Sequence, residues 1–263
     1  MDLHLTGKTA FISGSTQGIG YAITRALLGQ GAAVVINGRD ESRLQDAVQR
    51  LRSEVPGGAV SGIVADFADP AQVETLLAGL GDVDILVNNV GLFELRPFDE
   101  ISDEEWQRYF DVNVMSGVRL SRHLLSGMLA RNWGRIVFIS SESGVNVPAD
   151  MVHYGLTKAG MLALSNGLAK LTRGTEVTVN AILGGPTYSD GVARTITQIA
   201  RAQAIPEDQL RAAIIAGNQT SLLQRFIEPG EIANLALYLA SPLSSATNGA
   251  ALRADGGALT TTI

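Results

Sequence analysis

The sequence predicts a doubly wound α/β fold, a parallel sheet of about seven strands with helices on both faces. Three observations lead there. Short apolar runs alternate with amphipathic stretches along the chain, and a glycine-rich turn follows the first run directly. The composition, 46% hydrophobic and 17% charged over 263 residues, supplies a core for one large domain or two small ones at roughly 100–200 residues each. No Pro/Ser linker, repeat or low-complexity segment divides the chain, so residues 1–263 are expected to form one domain.

The elements follow in order. Thr9–Ser13 reads as a strand, Gly18–Leu28 as a helix, Ala33–Asn37 as a strand, Glu41–Arg52 as a helix and Val60–Ala65 as a strand. Asp69-Pro70 opens the next helix, with Asp as cap and Pro at the first helical position, and Asp84–Asn88 is the fourth strand. Ser102-Asp103-Glu104-Glu105 has the spacing of a capping box and starts a long helix toward Ala130. Arg135–Ser140 reads as a fully buried strand, residues 152–171 as a helix and Val177–Leu183 as a strand. From Thr187 to about Gln224 the pattern is polar, Ala-rich and weak, which predicts an inserted lid. Pro229–Ala240 is then a helix and Ala250–Ala254 the last strand.

Composition removes several functions. The 29 glycines imply many tight turns within a folded protein, and 26 acidic against 20 basic residues with no long cationic run argue against nucleic acid as a partner. With no cysteine and only His4, His123 and His153 dispersed along the chain, thiolate chemistry is excluded and a metal site is not expected. The start of the chain lacks a basic segment followed by an apolar one, and no run of 18 apolar residues occurs. A cytoplasmic protein that does not cross a membrane is expected.

Two features carry chemistry. Ser13-Gly14-Ser15-Thr16-Gln17-Gly18-Ile19-Gly20 joins the first strand to the first helix, where small residues let backbone approach a pyrophosphate and the helix N-terminus favours its charge. At the end of the second strand, where an acidic residue would bind ribose hydroxyls, stand Asn37-Gly38-Arg39. Arg39 suits a 2′-phosphate, so NADP(H) is favoured over NAD(H), while Asp40 caps the following helix. The alternative is that Arg39 is only a surface charge, because Gln17 supplies no second cation in the turn. The second feature is Tyr154 and Lys158, four residues apart on one helix face, where an ammonium can lower the pKa of a phenol that otherwise titrates near ~10. A core tyrosine beside a snorkelling lysine is the plainer reading of the pair alone.

Together with Asn88-Asn89-Val90-Gly91 after the fourth strand, Asn113, and Ser140-Ser141 ending the fifth, these motifs make the chain resemble the short-chain dehydrogenase/reductase family in its single-domain Rossmann form. The likeness runs from Leu5-Thr6-Gly7-Lys8 to Asp255-Gly256-Gly257. It implies a tetrad of Asn113, Ser141, Tyr154 and Lys158, with Ser140 as the fallback serine. Tyr154 would exchange a proton with the carbonyl or alcohol oxygen, and Ser141 would hydrogen-bond that oxygen. Lys158 would lower the Tyr154 pKa and hold the nicotinamide ribose, and Asn113 would position a water. It further implies Gly14, Thr16, Gln17, Gly18, Ile19 and Gly20 around the pyrophosphate, Asn37 and Arg39 toward the 2′-phosphate, and Asn89 along the adenosine. Asp66 would meet the adenine or cap the next helix, and Thr187 would meet the carboxamide. A homotetramer paired through the helices near 102–130 and 152–172 is also implied.

Departures from the family pattern are Ser13, Val90, Gly184, which loosens the root of the lid, and Glu142. This last charge is expected to point to solvent, with recognition of a polar substrate as the alternative. Phe93, Leu95 and Tyr188 are candidate apolar walls. The expected activity is NADP(H)-dependent hydride transfer between the nicotinamide and a ketone or secondary alcohol. The alternatives are a 3-oxoacyl-thioester reductase and a non-catalytic NADP(H)-sensing protein.

Overall fold

The computed structural model describes residues 2–217 and 220–262. Seven parallel strands run β1 (Thr9–Ile12), β2 (Ala33–Gly38), β3 (Val60–Val64), β4 (Ile85–Asn88), β5 (Gly134–Ser141), β6 (Val177–Gly184) and β7 (Ala251–Ala254). Their spatial order is β3-β2-β1-β4-β5-β6-β7, so the winding reverses between β1 and β4. There the connections after the two strands diverge to opposite sides and leave a crevice at the strands' carboxyl ends.

Alternation along each strand builds two apolar layers. In β1, Ala10 and Ile12 face helices α1 (Gly18–Gly29), α2 (Glu41–Glu54) and α9 (Pro229–Ala240). Phe11 faces α3 (Pro70–Gly79), α5 (Ser116–Ala130) and α6 (Val152–Leu171) on the other side. Each large apolar side chain fully buried here contributes about 1.5–3 kcal/mol. A helix cap contributes about 1 kcal/mol, so the two layers carry the fold and the caps set where helices begin. The predicted caps are present: Asp40 accepts from the Arg43 N–H at 2.9 Å, Asp69 from the Ala71 N–H at 3.0 Å, and Ser102 and Glu105 bond reciprocally.

One expectation is corrected. The helix predicted from 102 to 130 is α4 (Asp103–Phe110), a π-helical turn at Asp111–Met115, and then α5. The extra residue in that turn accompanies Asn113, whose side chain points inward and bonds backbone beside the crevice, a recurrent placement of such bulges. The weakly patterned lid contains two helices, α7 (Asp190–Gln203) and α8 (Glu207–Gly217). Among its described residues α8 buries no side chain, so it has no apolar period to read. Among the described residues no helix is long and apolar enough to cross a membrane.

Candidate active site

The glycine turn is held open by side chains that spend themselves on its backbone. Asn37 Oδ1 accepts from the Gly14 N–H at 3.1 Å, and its Nδ2 donates to the carbonyls of Ile63 and Ala65. Asn89 Nδ2 donates to the carbonyls of Ser13 and Gly14, at 3.0 and 2.8 Å. Both asparagines border the crevice, yet their amides brace the turn instead of facing outward. Gly14 and Gly20 have no room for a side chain: a Cβ would lie 2.9 Å from Val90 Cα at Gly14 and 2.6 Å from the Gly14 carbonyl at Gly20.

The resulting cleft encloses about 550 Å³ between the glycine turn, the ends of β2 and β3, residues 89–93 and the start of α7. Gly14, Thr16, Gln17, Gly18, Ile19, Arg39, Asp66 and Asn89 all border it. Asp66 does not cap α3, since Asp69 does; its Oδ1 accepts from the Ala68 N–H at 2.9 Å. Arg39 is exposed at the rim, and Arg43 and Arg194 line the same cleft. With Arg108 on the same wall, these are three cations that sequence reasoning did not place at the cleft, Arg43 standing a helical turn past Arg39 and Arg194 on α7. Asp190 Oδ2 accepts from the Gly18 N–H at the start of α1, at 2.6 Å. The Gly18 N–H at the start of α1 thus has a negatively charged acceptor.

At the inner end, beyond β4 and β5, the sequence-selected tetrad residues converge. Asn113 is fully buried; its Oδ1 accepts from the Leu92 N–H at 2.7 Å, and its Nδ2 donates to the Leu92 carbonyl and Thr157 Oγ1. Lys158 Nζ lies 5.5 Å from the centre of the Tyr154 ring and donates to the Ile139 carbonyl at 2.8 Å. Phe93 packs edge-to-face on Tyr154, with ring centres 6.5 Å apart. Of the two serines, Ser140 turns away and donates to the Lys158 carbonyl at 2.9 Å, leaving Ser141 toward the phenol.

Three expectations change. Tyr154 titrates above the ordinary phenol range, because burial dominates; the Ser141 hydrogen bond pulls it down and the Glu142 charge pushes it up. Lys158, aimed at Ile139, does not lower it. The ammonium is itself desolvated, which brings its pKa down to about 8 against the opposing pull of Glu142. Glu142, expected in solvent, is half-buried: Oε2 accepts from Ser141 Oγ at 2.5 Å and Oε1 from Ser143 Oγ at 3.3 Å. Burial raises its pKa, with the two serines working against the rise.

Thr187 is buried, and its hydroxyl donates to the Gly185 carbonyl at 2.8 Å; the structure does not bring it to the cleft wall. Tyr188 packs on Phe226 and under Arg211, away from Tyr154, and Leu95 is exposed, so of the three candidate walls only Phe93 meets the phenol. Tyr188's neighbours border a second cavity of about 680 Å³ beneath α8, which contains none of the tetrad.

The family model of short chain dehydrogenase matches residues 8–200, and that span takes in the glycine turn and the whole tetrad. The chain belongs to the short-chain dehydrogenase family. Among its relatives is an uncharacterized oxidoreductase, YvrD of Bacillus subtilis, 45% identical over 98% of both chains. D-beta-hydroxybutyrate dehydrogenase of Cupriavidus necator is 31% identical over 96% of this chain and 98% of its own. Among solved structures, the L-sorbose reductase of Gluconobacter frateurii, complexed with NADPH and L-sorbose, superposes with a TM-score of 0.93 at 31% identity. That alignment covers 99% of this chain and 100% of the reductase. This short-chain dehydrogenase therefore has an oxidoreductase scaffold, and its named relatives are dehydrogenases and reductases.

Proposed function

We propose that this protein is an NADP(H)-dependent carbonyl reductase, with Tyr154 as the acid that protonates the substrate oxygen. The observation that carries the reading is the convergence of Asn113, Ser141, Tyr154 and Lys158 behind Gly91, Leu92 and Phe93, which wall one end of a cleft that also takes in the glycine turn and Arg39. The cofactor, when bound, supplies hydride to the carbonyl carbon. The net change is ketone plus NADPH plus one proton to secondary alcohol plus NADP⁺.

The protein's own residues manage the proton and the charge. A buried phenol with a raised pKa is fully protonated at neutral pH, which is the form needed to donate to an oxygen gaining negative charge. Ser141, beside it, is placed to hydrogen-bond the same oxygen. Lys158 holds the nicotinamide ribose, and the chain of Asn113, Thr157 and the Leu92 backbone holds the inner wall rigid. Gly14, Thr16, Gln17, Gly18, Ile19 and Gly20 cradle the pyrophosphate. Arg39, with Arg43 beside it, meets the 2′-phosphate, while Asp66 and Asn89 flank the adenosine side of the dinucleotide.

NADPH supports turnover better than NADH in this reading, and Arg39→Ala raises KM for NADPH about tenfold while leaving NADH nearly unchanged. Equal use of both cofactors by the wild type overturns the NADP(H) assignment. The bound NADPH and ketose named for the Gluconobacter enzyme support the same assignment. The name of the Cupriavidus relative favours a second reading, oxidation of a 3-hydroxy acid, but a half-buried carboxylate on Ser141 opposes an anionic substrate there. We further propose a homotetramer, consistent with Phe110, Leu156 and Leu171 exposed on α4 and α6. Light scattering at four times the chain mass is expected, and a monomer at micromolar concentration overturns it.

A further inference from the structure

The Ser141 hydroxyl has one proton to give, and Glu142 holds it. Ser141 Oγ donates to Glu142 Oε2 at 2.5 Å, accepts from the Ser143 N–H at 3.1 Å and stands against the Tyr154 phenol. A hydroxyl has a single donor and an ionised carboxylate only accepts, so in this arrangement Ser141 has no proton left for a substrate carbonyl. Among the described residues no cation lies within ion-pair distance of Glu142. Its carboxylate is satisfied by Ser141 and Ser143. Freeing Ser141 without cost needs another donor on Oε2.

We propose that Glu142 is the specificity residue of this site, accepting a hydrogen bond from a substrate hydroxyl on the carbon next to the carbonyl, so that the preferred substrates are neutral α-hydroxy ketones. The inference rests on the carbonyl-reductase reading above and deepens it. Oxygens on adjacent carbons are about as far apart as a hydroxyl and its acceptor, which matches the spacing of Ser141 Oγ and Glu142 Oε2. When the substrate hydroxyl donates to Glu142, the Ser141 proton turns to the substrate carbonyl beside Tyr154. One hydrogen bond is exchanged for two, and no buried acceptor is stranded. A simple ketone offers no such donor; Ser141 then has to abandon the carboxylate or withhold its proton from the carbonyl. An anionic substrate brings a like charge to Glu142. The tightness of the Ser141 contact thus becomes discrimination between substrates, since a site built to hydrogen-bond a hydroxyl rejects the analogue lacking it.

The test uses two ketones of nearly equal shape, hydroxyacetone and 2-butanone, with NADPH in excess. Wild type is expected to favour hydroxyacetone in kcat/KM by about ten- to a hundredfold, the worth of a hydrogen bond to a charged group. Glu142→Leu removes the acceptor: hydroxyacetone turnover falls by that factor, while kcat for 2-butanone rises several-fold because Ser141 is released. A purely structural role for Glu142 lowers both together. Glu142→Gln, which accepts without charge, falls between, and with the wild-type ratio it decides the matter if the leucine variant does not fold. Equal kcat/KM for the two ketones in wild type, or a parallel loss in both variants, overturns the inference and leaves the reductase reading intact. If neither ketone is reduced with NADPH or NADH, or if Tyr154→Phe keeps the wild-type rate, the reductase reading falls and the inference goes with it.

Discussion

In the proposed dinucleotide site Asp190 and a cofactor phosphate would compete for one donor, which makes Asp190→Ala a sharp probe of the cleft. The Asp190 carboxylate, in the first turn of α7, accepts from the Gly18 N–H at 2.6 Å, and Arg194 one turn later donates to Gln17 Oε1 at 3.1 Å. These contacts lay the lid across the glycine turn. A bond between N–H and a charged acceptor is worth about 1.5–3 kcal/mol net. Asp190 is exposed and screened, and an anion at an open helix N-terminus contributes about 0.3–1 kcal/mol, so about 1 kcal/mol is the figure to carry. Any phosphate oxygen bound at Gly18 must first displace the carboxylate, so the variant is expected to bind NADPH about fivefold more tightly, at 1.4 kcal/mol per tenfold. Fluorescence titration of NADPH at low and moderate salt measures this, and the gain should shrink as salt rises. Loss of α7 structure is monitored by thermal unfolding, since Ser189 remains as its cap. Affinity unchanged or weakened in a folded variant would show that the Gly18 donor is not where the phosphate binds.

Two further outcomes follow from buried polar groups. Lys158 has a folded pKa of about 8, below that of an unfolded lysine near ~10.4. Between those values the unfolded chain binds more protons than the folded one, so this group's destabilising effect is full below about pH 8 and fades as pH rises toward 10. Lys158→Met should therefore be more stable than wild type at pH 7, on the order of 1–2 kcal/mol after allowing for the lost bond to Ile139, and the difference should vanish by pH 10. Denaturant melts at the two pH values check it, and a pH-independent difference refutes it. Asn113→Ala takes the partner from the part-buried Leu92 N–H and carbonyl and one donor from Thr157 Oγ1, costing about 3 kcal/mol, or about 6–12 °C in Tm. A shift under 2 °C in calorimetry would mean that water replaces the amide.

The sheet, its strand boundaries and the place of the cleft were legible because period-two apolar runs and a glycine turn are local signals. Pro229–Ala240 was legible to the residue, since Pro at its first position marks its start. The π-turn at Asn113 was not, because one extra residue inside a helix leaves the apolar spacing on either side nearly intact. The meeting of Asp190 with Gly18 joins residues 172 positions apart, a long-range contact that no local pattern announces. Tyr154 and Lys158 were legible as a pair on one helix face, but not the direction of the ammonium, which is set by the Ile139 carbonyl on β5. Glu142 stood out as an unusual charge; that its carboxylate folds back on Ser141 depends on the 3-10 turn that ends β5, which local propensity does not announce.

The central claim is that Tyr154 gives its proton to a carbonyl oxygen as hydride arrives. The direct measurement is single-turnover oxidation of bound NADPH by hydroxyacetone in wild type and Tyr154→Phe, followed by absorbance. The phenylalanine variant should still bind NADPH and lose about 10²–10⁴ in the rate of NADPH oxidation. A variant that oxidises NADPH at the wild-type rate would contradict the account, whatever its affinity for either ligand.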